Sequence, residues 1–244
     1  MEKVNRVRSL LRSCIIAGVA ARCPQVEQGL SVQADSGLNQ GEQAAADFFA
    51  KRGLRVQRFG NDEFRRGETP GFRVFRNKEF VMFCEAKQLQ CDDWLYKRLD
   101  NAAPGQIVGG VRTDPIFNRL TNHVHEAVKQ FDSINPKHEY PNVLFLANSD
   151  RVSDVLDLIA VIDGMFRAES GVREPIYTQY SEGRIRKEKF TVDLFIWRNV
   201  WMDKEPQRVW YPSIHYQRVC ELLGCDFHSN LQLGSLENAA LSSS

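Results

Sequence analysis

Thr69-Pro-Gly-Phe-Arg-Val-Phe-Arg-Asn-Lys-Glu-Phe-Val-Met-Phe-Cys-Glu-Ala-Lys87 is the stretch on which the reading of this chain turns. Phe72 to Phe75 alternates apolar and other side chains, the period of a half-buried strand. Asn77-Lys78 sits where a tight reversal belongs, and Asn tolerates left-handed backbone there. Phe80 to Glu85 then reads as the returning strand, and Leu54 to Phe59 as an earlier alternating one. The three together make a β-meander. Side chains alternate along a strand, so Glu85 and Lys87 share one face if the strand runs on. A charged pair closing an apolar strand is unusual, because neither group is readily buried without compensation.

Outward from this stretch, the pattern changes to helices. A helix is predicted from near Asn39 to Lys51-Arg52, with Gly53 in the stopping position. Ala44, Ala45, Phe48 and Phe49 give it an apolar stripe. Glu42 falls at the edge of that stripe, close to the sheet rather than in open water. Its plainer role is a first-turn acid favouring the helix dipole.

On the other side, residues 89–115 lack a clear period and hold a short helix around Trp94–Leu99. Leu120, Val124, Ala127, Val128, Phe131 and Ile134 recur at helical spacing, and Asn135-Pro136 ends that helix. Val143 to Ala147 is a continuous apolar run, as in a central strand covered on both faces. Val152–Phe166 reads as a helix, Phe190 to Ile196 as a strand, and Tyr216–Leu223 as a closing helix stopped by Gly224.

The order predicts an α/β domain with a mixed sheet flanked by helices. Residues 1–38 read as an N-terminal helix (Val4, Val7, Leu10, Leu11 and Ile15 on one side) and linker, 39–228 as the α/β domain, and 229–244 as a disordered tail.

Composition narrows the class. Hydrophobic residues make up 43% and charged residues 26%, which is ordinary for a soluble globular protein. The formal net charge is +1, so any nucleic-acid contact must come from a local patch rather than global basicity. The six cysteines form no C-x-x-C pair and read as reduced thiols in a cytoplasmic protein. Cys220, Cys225 and His228 fit no standard zinc spacing and lack a fourth ligand.

No stretch is long enough to span a membrane. Lys3, Arg6, Arg8 and Arg12 precede a short apolar run holding Gly18, which reads as an amphipathic helix rather than a leader. Gly109-Gly110 lacks the Lys-Ser/Thr of a phosphate-binding loop, and no Gly-x-Ser-x-Gly elbow occurs. His123 and His125 do not share a helix face. Trp197, Trp201 and Trp210 read as core or interface anchors.

Glu42, the Thr69-Pro70-Gly71-Phe72 strand entry and Glu85-Ala86-Lys87 occur in an order that resembles the PD-(D/E)XK nuclease superfamily, over roughly residues 39–150. Glu42 matches the acid of the family's first core helix, Pro70-Gly71 the Pro-Asp step, and Glu85-Ala86-Lys87 the Glu-x-Lys. His125 to Phe131, followed by the Val143–Ala147 strand, is similar to the family's next helix–strand unit.

The resemblance implies a restriction-endonuclease-like core and divalent-metal-dependent hydrolysis of DNA phosphodiesters. It implies Mg²⁺ or Mn²⁺, held by Glu85 and the carbonyl of Ala86, with Lys87 positioning the attacking water and Glu42 reaching a second ion through water. Hard oxygen ligands suit such cations. DNA phosphates would meet Arg65 and Arg66 near Pro70 and Lys129 and Gln130 on the following helix, whose ordinary role is helix surface. The basic stretches Arg52, Arg55 and Arg58, and Arg184 to Lys189, read first as solvated faces.

The departure from the pattern is Gly71, which stands where the family carries a metal-binding Asp. A neighbouring acid, Glu68 first and then Asp62 or Glu63, would have to replace it. The other readings are an inactivating change, natural or introduced, and a fold kept as a nucleic-acid or protein-binding module, with a homodimer or a partner protein left open. An interaction protein in which Glu85-Ala86-Lys87 is accidental is the reading from outside the family.

Overall fold

A computed structural model describes residues 37–60, 63, 69–90, 97–98, 100–108, 115–151, 153–167, 173–175, 185–202, 204–210, 213–224 and 231–232. The predicted N-terminal helix, most of the Trp94–Leu99 turn, and Asp62, Arg65, Arg66, Glu68, Cys225 and His228 lie outside these residues. By its internal contacts the chain divides into two compact units, one of residues 1–36 with 92–115 and one of residues 37–91 with 116–244. In the first, Asn101 Nδ2 donates to the Lys97 carbonyl and Ala103 N to Gln106 Oε1. The second unit carries the sheet.

That sheet starts from a helix, α1 (Gln40–Ala50), whose Asn39 cap and Glu42 satisfy each other's backbone N–H groups in a capping box. Gly53 follows with φ 70°, where a side chain would strain the backbone. Then come β1 (Arg55–Arg58), β2 (Phe72–Arg76) and β3 (Glu79–Leu89). Asn77 and Lys78, both with positive φ, make the two-residue turn between β2 and β3. This is the mirror-image turn that matches strand twist.

The crossover helix α2 (Pro115–Ile134) leads to β4 (Asn142–Asn148), every residue of which is buried. Helix α3 (Val155–Asp163) precedes a small ribbon of β5 (Met165–Arg167) and β6 (Arg173–Pro175). After β7 (Leu194–Asn199) and β8 (Gln207–Trp210) comes α4 (Tyr216–Leu223), and then β9 (Leu231–Gln232).

The main sheet has the order β1-β2-β3-β4-β7-β8-β9. The meander and the β7–β8 pair are antiparallel, whereas β3–β4, β4–β7 and β8–β9 are parallel. Each face carries its own core. One joins Phe48 and Phe49 of α1 and Leu222 and Leu223 of α4 to Met82, Cys84, Phe145 and Ile196. The other joins Leu120, Val124 and Phe131 of α2 and Leu158 and Ile162 of α3 to Phe83, Leu144, Leu146 and Trp197. The architecture is thus an α/β fold with a mixed sheet between helical layers.

Among the described residues no helix is long and apolar enough to cross a membrane. Cys84 and Cys220 are free, buried thiols, and burial pushes the Cys84 thiol well above its usual range.

Three sequence expectations need correction. The helix predicted over Val152–Phe166 stops at Asp163, because Gly164 turns left-handed at φ 69° and Met165–Arg167 pairs as a strand. The strand predicted from Phe190 begins only at Leu194, since Glu188–Phe190 is a short 3₁₀ turn and the Phe190 ring is exposed. Trp197 is core, one of the two roles expected of it, and Trp201 is 40% exposed. Leu231–Gln232, inside the expected disordered tail, pair with Val209–Trp210.

Candidate functional site

Register brings the site together. The β2–β3 ladder slips by one residue between Val74 and Phe75, so that Val81 and Met82 both join the α1-side core. From there alternation is regular. Met82, Cys84 and Ala86 face α1, while Phe83 and Leu89 face α2. Glu85 and Lys87 therefore point to the α2 side, as the alternation predicted. Lys87 Nζ stands 3.1 Å from Glu85 Oε1 and 3.1 Å from Glu126 Oε2 of α2. The other oxygen of Glu85 accepts the Gly71 amide N–H at 2.5 Å. Gly71 thus stands opposite Glu85, and a Cβ built on it would lie 3.4 Å from Glu85 Oε2.

Burial sets the electrostatics of this pair. It outweighs the Lys87 ammonium at Glu85 and raises the carboxyl pKa, and the charge of Glu42 pushes it the same way. At Lys87 burial again has the largest single influence, downward. The combined attraction of Glu85 and Glu126 more than offsets it and leaves the ammonium's pKa raised. Burial lowers His123, one turn before Glu126, and the Lys87 charge adds to that.

Glu42 is buried and its charge adds to the upward push on the Glu85 pKa, but its oxygens are engaged. Oε2 accepts the Asn39 N–H, and Oε1 meets Arg58 NH2 at 2.8 Å. Arg58 is in turn tied to the Gly37 carbonyl. Glu42 therefore fills the ordinary capping role, in an ion pair with Arg58. Replacing Asn39 by Ala is expected to cost about 1 kcal/mol through the lost cap, read as a shift in the urea midpoint.

No protein family, curated protein or solved structure matches the chain. What the arrangement can do is therefore argued from its own groups.

Glu42, Glu85 and the Ala86 carbonyl offer hard oxygens, the right kind for Mg²⁺ or Mn²⁺. The number falls short, because among the described residues no three His, Cys, Asp or Glu side chains gather around one point. Glu63, expected as one of the acids that would make good Gly71, is committed to Arg73 and the Gly60 amide. Lys129 is exposed on α2. Gln130 lies one turn beyond Glu126, half buried, and its Oε1 is enclosed without a hydrogen-bond partner among the described residues. Thr69 Oγ1, two residues before Gly71, is enclosed in the same way.

Sequence reading missed Glu126, His123 and Arg58 as members of this cluster. The signal for the first two was their place beside the Leu120–Val124–Ala127 stripe on the helix that crosses back over β3. Elsewhere the basic stretches divide: Arg55, Arg186 and Lys187 are exposed, as solvated faces should be, whereas two members are structural. Arg52 lies over the Phe48 ring and pairs with Glu205, and Lys189 is buried.

Proposed function

We propose that this domain has a phosphodiesterase site of the PD-(D/E)XK kind, built for a divalent cation and DNA and attenuated by Gly71. The observation that carries the reading is the junction of Gly71 with Glu85. Position 71 stands against the Glu85 carboxylate, on the face that also holds Lys87, where a second carboxylate would converge with the first. The order α1-β1-β2-β3-α2-β4 supports it, since the resemblance rests on that same helix, meander, helix and strand.

A cation at Glu85 and Ala86 would supply charge stabilisation at phosphorus-bound oxygens. The chain's own groups would do the rest. Lys87 would bring an ammonium to the rim, neutralising anionic substrate and orienting water. Glu85 would fix Lys87, and Glu126 would hold the ammonium from the opposite side.

One observation favours the alternative of a catalytically silent nucleic-acid or protein-binding module. Both oxygens of Glu85 and both of Glu42 already have partners within the protein. The test is plasmid cleavage in Mn²⁺ by the natural chain, by Gly71→Asp and by Gly71→Asp combined with Glu85→Gln. Cleavage in the second only, or stronger there than in the first, and lost in the third, is the expected result. Absence of cleavage and of Mn²⁺ binding in all three would leave the silent module.

A further inference from the structure

A second polar cluster lies at the other end of the parallel strands, where the polypeptide enters β4 and β7. Asp193, fully buried, immediately precedes β7. Its Oδ2 meets His138 Nε2 at 2.8 Å and accepts the Asn142 N–H at 2.7 Å. Its Oδ1 is enclosed and meets no donor among the described residues. His138 occupies the α2–β4 turn with φ 51°, a backbone state that is costly for a non-glycine residue. That turn is pinned by Asn135, which donates to the Tyr140 carbonyl and accepts from the Glu139 and Tyr140 amides. His215, at the start of α4, places Nε2 at 2.7 Å from the His138 carbonyl. The two imidazole rings stand 5.0 Å apart at 65°.

The acceptors fix the tautomers. A carboxylate and a carbonyl only accept, so both Nε2 atoms carry hydrogen and both Nδ1 atoms carry the lone pair when the rings are neutral. Among the described residues neither Nδ1 has a hydrogen-bond partner. An imidazole held by its other N–H against a carboxylate or a backbone carbonyl is the arrangement that orients histidines as metal ligands. Two imidazoles bound to one tetrahedral ion at about 2.0–2.1 Å have ring centres roughly 5 Å apart. A positive ion on His138 would also compensate the buried Asp193 carboxylate, whose second oxygen lacks a donor.

We propose that His138 and His215 form a binding site for a borderline divalent transition-metal ion of the Zn²⁺ class, with Asp193 as the positioning residue and water completing the coordination. The ion would clip the α2–β4 turn to the first turn of α4. This site is separate from the Glu85–Lys87 site and does not depend on its chemistry.

The experiment is titration of the full chain, stripped of metal, with Co²⁺ as a visible probe. The expected result is one ion per chain, with d–d absorption but no thiolate-to-cobalt charge-transfer band, displaced by Zn²⁺. Asp193 raises the His138 pKa through its hydrogen bond. A bound metal requires the proton to leave, so affinity should climb as pH rises through that raised value. His215→Ala should weaken binding at least tenfold. Asp193→Asn should weaken it by roughly 10–100-fold, the effect usual for removing an orienting partner.

If Asp193→Asn fails to fold, His215→Ala, at a half-buried position, still decides the matter. Ring proton resonances of His138 and His215 should shift on adding Zn²⁺ while those of His123 and His125 stay. No absorption at millimolar Co²⁺, a thiolate band, or binding unchanged in His215→Ala would each overturn the proposal.

Discussion

Gly71→Asp is expected to bind Mn²⁺ at least about tenfold more tightly than the natural chain, because affinity for hard cations follows the number of anionic ligands. The position accepts a side chain. Its φ lies outside the left-handed region, and the nearest atoms to a new Cβ are Glu85 Oε2 at 3.4 Å, the Cys84 carbonyl at 3.8 Å and the Ala86 nitrogen at 3.9 Å. An Asp there brings its oxygens to those of Glu85. Without metal the two carboxylates repel, and the raised Glu85 pKa should rise further. The variant should therefore melt below the natural chain in EDTA and regain stability on adding Mn²⁺. Calorimetry and thermal unfolding read both effects. Equal Mn²⁺ affinity in the two proteins, together with equal melting in EDTA, would show that position 71 does not belong to the site.

The second large effect is expected from Lys87→Met. It removes the ammonium beside a buried carboxylate and leaves Glu85 with the Gly71 N–H alone. Breaking a buried pair by deleting one partner costs about 3 kcal/mol or more. The loss should depend on pH in a defined direction. A carboxyl whose folded pKa lies above its unfolded value favours folding at low pH, and that contribution fades as pH rises through the folded value. Glu85 is already raised, and losing Lys87 raises it further.

The variant should thus stand close to the natural chain near about pH 5 and fall behind it towards about pH 8. Adding Glu85→Gln should recover most of the deficit, because no buried charge then lacks a partner. Urea unfolding at both pH values checks this. A pH-independent deficit would mean that Lys87 stabilises through its stem alone.

Much of the fold was legible because local signals and burial agreed. Asn39 and Gly53 marked the ends of α1, Asn77-Lys78 the hairpin, the unbroken run from Val143 to Ala147 the central strand, and Gly224 the end of α4. Where they diverged, a backbone signal was passed over. Gly164 interrupts an apolar run that reads as one helix through Phe166. The polar Asp193, placed inside an alternating stretch, belongs to the hydrogen-bonded entry to β7 and not to the strand itself. Strand β8 is short, and Gln207 and Arg208 give it little apolar pattern.

For the site, strand alternation sufficed to put Glu85 and Lys87 on one face. The ion pair with Glu126 was not legible, because it depends on how far α2 slides along β3, which packing decides. Nor could sequence reveal that Arg58 would occupy Glu42. The His138–Asp193–His215 cluster draws on three segments that meet only when β4 and β7 lie side by side.

The hairpin of β2 and β3 has a consequence for the order in which the molecule assembles. The centre of the sheet pairs strands distant in the chain, so its formation must wait for long loops to close, which makes folding slow. The hairpin needs no such closure. Its turn asks for positive φ at two residues, which Asn77 tolerates and Lys78 adopts at a cost, and structures of this size form in about 1–10 μs. Gly71 and Glu85 lie at the open end of that ribbon, while Lys87 extends past it and pairs with Leu146 of β4. Strand alternation sets the acid and the ammonium on one side of β3, but their enclosure depends on the long-range docking of β4 and the crossover helix.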